Sequence, residues 1–99
     1  MDLYSEKAEL AALRTICSGK DPKAAAILLS FLSVDHFNNP YIKEAVGLIK
    51  SYSKKKGEIL LYSELVCDPA LRESGRKFLT KKLKTVKSIS HEEVPNLLS

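Results

Sequence analysis

The chain predicts an all-α fold, a compact bundle of about six helices. Three observations carry that expectation. Apolar residues recur at helical spacing in successive long stretches. Asp or Asn stands directly before proline at three places where such a stretch could begin, Asp21–Pro22, Asn39–Pro40 and Asp68–Pro69. The one segment that reads as a strand, around Ile59 to Leu61, has no partner strand elsewhere, and there is no internal repeat.

The first helix is expected from about Ser5 to Ser18, with Leu10, Leu13 and Cys17 at i, i+3, i+7 and Ile16 beside them. Gly19 supplies a left-handed stop. The second opens on Asp21 and Pro22, and Ala24, Ile27, Leu28, Phe31 and Leu32 make a broad apolar face. A polar corner follows, "SVDHFNNP", in which Ser33 caps a short turn through Asp35 and His36. Its one large apolar residue, Phe37, is expected to plug the seam between helices two and three, a burial contributing about 2 kcal/mol.

Asn39 and Pro40 then start a third helix, with Ile42, Ala45, Val46 and Ile49 at i, i+3, i+4, i+7. It ends in Lys54, Lys55 and Lys56, cations favoured by the helix dipole, with Gly57 as the stop. A brief helix is expected from about Leu61 to Cys67. Asp68–Pro69 starts a fifth, along which Leu71, Gly75, Phe78, Leu79, Leu83 and Val86 keep helical spacing as far as Ile89. Ser90 to Glu93, "SHEE", reads as a capping box opening a last helix that holds Val94, Leu97 and Leu98; Pro95 falls in its tolerant first turn. That helix has just begun to expose apolar residues when the sequence stops, so more chain is expected after Ser99, and residues 1–99 read as one excised helical domain.

Composition excludes several classes. The chain has 99 residues, 44% hydrophobic and 28% charged, ordinary for a globular protein. Its longest apolar run, Ala24 to Leu29, falls far short of the roughly 20 residues of a membrane span, and "MDLYSEKAEL" lacks the layout of a secretory signal. A cytoplasmic location without membrane contact is therefore expected. Cys17 and Cys67 sit in apolar helical patterns and read as small hydrophobes. The order Cys17, His36, Cys67, His91 lacks the short paired spacings of a zinc site, so no metal is expected. The carboxylates stand mostly at helix starts, where capping and dipole effects account for them. There is no G-x-x-x-x-G-K-[ST] loop, and neither a catalytic nor a cofactor site is expected within these residues.

The net charge of +4 is unevenly spread. Residues 1–39 carry four Lys/Arg against five Asp/Glu, residues 40–90 twelve against five, and the last nine residues two acids alone. Lys77, Lys81 and Lys84 stand at i, i+4, i+7 on the fifth helix, and Lys54, Lys55 and Lys56 form a second cluster. Both are candidate surfaces for an acidic partner or for nucleic acid. The alternative is a solvated face, aided by Glu73 four residues before Lys77.

The corner carries a resemblance. "LLSFLSVDHFNNPYIKEAVGLIKSYSKKKG" resembles the N-terminal domain of DnaB-type replicative DNA helicases, especially phage versions, over roughly residues 6–80. The matching positions are Leu32, Ser33, Phe37, Pro40, Ile49, Gly57 and Leu65, with "ELAALRTIC" before them and "YSELV" after. The sequence departs from the family at Asn38 and Asn39, where bacterial members often carry a bulkier residue, and the helical hairpin that completes the family's domain is not found before Ser99.

The resemblance implies a DnaB N-terminal-domain-like fold in the collar of a hexameric, ATP-driven ring in the bacterial cytoplasm, the protein being bacterial or phage-encoded. It implies other helicase subunits, a primase or a helicase loader as partners within the primosome. ATP and magnesium would belong to a separate motor domain of the full-length protein, and DNA would be engaged by the full-length ring. Leu32, Ser33, Phe37 and Pro40 would then be architectural. Two other readings stay open: a small basic helical DNA-binding module, and the helicase-binding C-terminal domain of a primase.

Overall fold

The computed structural model describes residue 3 and residues 5–98. Its elements are α1 (Glu6–Ser18), α2 (Pro22–Phe31), α3 (Pro40–Lys56), α4 (Tyr62–Val66), α5 (Glu73–Lys82) and α6 (Val94–Leu98), with 3₁₀ turns at Val34–His36 and Leu83–Thr85. No strand occurs among the described residues. The radius of gyration is 12.0 Å, close to the roughly 13 Å of a well-packed chain this long, so the helices form a globule rather than an extended array.

The first half follows its caps. The Ser5 hydroxyl accepts from the Ala8 N–H at 3.1 Å and opens α1; Gly19, at φ 75°, closes it. Asp21 Oδ1 accepts from the N–H groups of Lys23 and Ala24, each at 3.1 Å, and Pro22 occupies the first turn of α2. Asn39 Oδ1 does the same for Tyr41 and Ile42 at the head of α3, and Gly57 at φ 71° ends that helix. α1 packs against α2, α3 and α4, and α3 packs against α5. The core between them holds Leu13, Ile16, Leu28, Phe37, Ile42, Ile49, Leu65 and Leu79, all buried.

Five expectations need correction. Phe31 is not on the inward face of α2; it is 69% exposed. The helix ends there, and the extended backbone of Leu32 turns that side chain into the core instead, at 2% exposure. Cys67 is likewise exposed, at the end of α4, while Cys17 is buried.

Asp68–Pro69 does not start α5. Asp68 Oδ1 accepts from the Ala70 N–H at 2.8 Å and its carbonyl from the Leu71 N–H at 3.0 Å, which closes a turn, and the helix begins four residues later. Nor does α5 reach Ile89. It tightens into the 3₁₀ turn after Lys82, and Val86 is extended, because the Ile89 N–H leaves the helix axis to donate to Thr15 Oγ1 of α1 at 2.9 Å.

The Ser90–Glu93 box is also not reciprocal. The Ser90 hydroxyl donates to Glu93 Oε1 at 3.3 Å, a turn precedes the helix, and α6 begins at Val94. Pro95 is the second residue of α6, where its missing N–H costs nothing.

Candidate interaction surface

The corner is built by three elements. Phe37 is 1% exposed, so the aromatic residue does close the core beneath the polar turn. Ser33 and Pro40 stay at the surface, Pro40 as the first residue of α3. At the 3₁₀ turn the Ser33 N–H donates to His36 Nδ1 at 2.9 Å and the Ser33 hydroxyl lies 3.2 Å from the same nitrogen, so Ser33 and His36 close the turn together.

The residue that sequence reading missed is Glu9. It is 2% exposed, and its two carboxylate oxygens accept from the Asn38 and Asn39 N–H groups at 3.1 and 3.0 Å. Those donors have no helical partner, being at the mouth of α3, and a carboxylate there is also favoured by the helix dipole. Glu6 Oε1 adds a bond from Asn39 Nδ2 at 2.8 Å. The corner is thus fastened to α1 as well as to its own helices. The signal was available: Glu9 lies in register with buried Leu13 and Ile16, at i+4 and i+7, so its carboxylate had to be either orphaned or paired.

The six candidate lysines separate into two cases. Lys54, Lys55 and Lys56 are consecutive on a helix, so their side chains diverge by about 100° each. Lys54 lines a hollow with Leu29, Lys50, Ser51 and Ser53, and Lys55 lines a different one with Asp68 and Ala70. They form no common patch. Next to them Lys50 is already engaged, its Nζ donating to the Leu29 carbonyl at 3.0 Å in the last turn of α2.

Lys77, Lys81 and Lys84 do come together. With Glu73, Arg76 and Thr80 they line an open hollow of about 410 Å³ along α5 and the following turn. Lys84 sits in the 3₁₀ turn rather than on the helix, yet stays in line with the other two. The expected neutralisation by Glu73 does not occur, because Glu73 Oε2 is taken by Arg76 Nη1 at 2.7 Å. Arg76 in turn is fully committed: its Nε donates to the Val66 carbonyl at 2.6 Å, and its Nη2 to those of Asp68 and Leu71 at 3.2 Å each. Among the described residues, Lys77, Lys81 and Lys84 have no ion-pair partner.

The four residues weighed as metal ligands are not brought together, and no three His, Cys, Asp or Glu among the described residues are placed to share an ion. Burial pushes the Cys17 thiol up to about 11. His91 pairs with Asp21, whose Oδ2 accepts from the His91 N–H at 2.9 Å and lies 3.0 Å from its Nδ1. The bonds from His91, with that from Ala24, lower the Asp21 carboxyl to about 2. No helix among the described residues is long and apolar enough to cross a membrane. No protein-family model, curated protein or solved structure matches the chain.

Proposed function

We propose that this chain is the non-catalytic N-terminal domain of a DnaB-type replicative DNA helicase, helping to build the collar of a hexameric ring and docking primase or a loader. One observation supports the reading most. The positions that carry the resemblance do architectural work: Leu32, Phe37, Ile49 and Leu65 are each 2% exposed or less, and Pro40 and Gly57 bound α3. Such an arrangement holds helices in place and leaves their outer faces for contacts. ATP, magnesium and DNA would be handled by the full-length ring.

Calorimetric titration with the helicase-binding C-terminal domain of the primase from the same genome tests it. Saturable heat at a defined ratio is expected; a flat trace at the highest soluble concentrations rejects the docking role. Replacing the primase domain by a DnaB-type helicase asks whether this chain is instead the primase partner. A second reading, a small DNA-binding module, is favoured by the unpaired lysines of the α5 hollow. Duplex DNA titrated at two salt concentrations selects it if the affinity is substantial and falls steeply with salt.

A further inference from the structure

We infer that the hollow formed by Lys77, Lys81 and Lys84 is the docking face of this domain and takes an acidic amphipathic helix from a partner protein; the inference rests on the docking role proposed above. The three ammonium groups are exposed and, among the described residues, free of carboxylate partners, since the acid that lines the hollow with them, Glu73, is held by Arg76. Their rise along the axis from Lys77 to Lys84 is about 11 Å, the distance over which a second helix repeats carboxylates at i, i+4, i+7. Between the lysines the floor is Thr80 and the lysine stems, which offer apolar surface to an incoming side chain.

The end of the row at Glu73 is the discriminating feature. Beyond Lys77 the row meets the Glu73–Arg76 pair, neutral as a unit, so the basic stripe does not continue there as a long run of phosphates would need, but matches the few carboxylates of one helix. A second copy of this chain is a poor occupant, because each copy carries a net charge of +4. The fixed arrangement of Arg76 means that the hollow's wall is present before the partner arrives.

The test is heteronuclear NMR on the isotopically labelled chain, titrated with a helical peptide of about 20 residues bearing Glu at i, i+4, i+7 beside a leucine row. Shifts confined to residues 73–84 are expected, with affinity falling as salt rises. The combined variant Lys77→Gln, Lys81→Gln, Lys84→Gln should weaken binding by about tenfold, three exposed charge pairs being lost. It should keep the wild-type circular dichroism, whereas Lys54→Gln, Lys55→Gln, Lys56→Gln should change nothing. Shifts mapping elsewhere, or duplex DNA of equal charge binding the same face more tightly than the peptide, overturn the inference. The triple variant titrated with the primase domain keeps the two claims apart. Undiminished heat removes the α5 face and leaves the docking role standing; absence of heat with the wild-type chain removes the docking role, and the peptide still judges the face.

Discussion

Glu9 shows how much a single side chain can decide. Its carboxylate satisfies two otherwise orphaned N–H groups in a buried place, so truncating it leaves both donors without partners. Glu9→Ala should cost about 3 kcal/mol in urea unfolding, and Glu9→Gln clearly less, since one acceptor oxygen remains. Equal losses for the two would mean that the carboxylate contributes only volume. The cysteines give a second residue-scale prediction. With Cys17 buried and its thiol raised to about 11, a water-soluble maleimide should label one site, Cys67, in the native protein and both sites in denaturant. Rapid native labelling at Cys17 would contradict its burial. Neither outcome was legible from the sequence, where both cysteines share the same apolar spacing. Spacing records which face a residue lies on, but not where the helix stops, and Cys67 falls on the residue after α4 ends.

At the scale of elements, the helices whose caps are local were readable and those whose ends depend on distant groups were not. Ser5, Asp21 and Asn39 each bond N–H groups two or three residues ahead, so α1, α2 and α3 begin where the sequence says. The start of α5 is different. Its position is set by Arg76 reaching back to three carbonyls between Val66 and Leu71, which turns the Asp68–Pro69 pair into a turn instead of a helix start. Arg76→Ala should therefore destabilise by about 2 kcal/mol, and Arg76→Lys should recover little, because a single ammonium cannot serve all three acceptors. Hydrogen exchange should show the loss concentrated at residues 62–76; uniform loss over the chain would argue that Arg76 acts through general packing. The candidate surface follows the same division. The spacing of Lys77, Lys81 and Lys84 announced a row, but that the row is unpaired depends on Glu73 choosing Arg76, which only the fold decides.

For the molecule as a whole, two polar ties join the last segment to the first half: Ile89 to Thr15, and His91 to Asp21. The Asp21 tie gives stability a pH dependence with a defined sign. Its carboxyl is lowered from 3.8 to about 2, so its contribution is complete above pH 3.8 and is lost as pH falls toward about 2. The melting-temperature advantage of wild type over Asp21→Asn should therefore be constant near neutrality and shrink through that acid window. An advantage that persists at the bottom of the window would mean that the charge of Asp21 is not what holds His91. All-helical architecture was legible at this scale because amphipathic period and capping agree along most of the chain. The ties were not, since Thr15 and Ile89 are 74 positions apart and nothing local marks either as a partner.

Those same ties impose an order on synthesis. When α1 and α2 leave the ribosome, Thr15 and Asp21 have no C-terminal partner yet, and the flank they guard stays open until residue 91 has emerged. A chain truncated after Lys87 should then bind a hydrophobic dye and yield to protease at α2, whereas the chain through Ser99 should resist both.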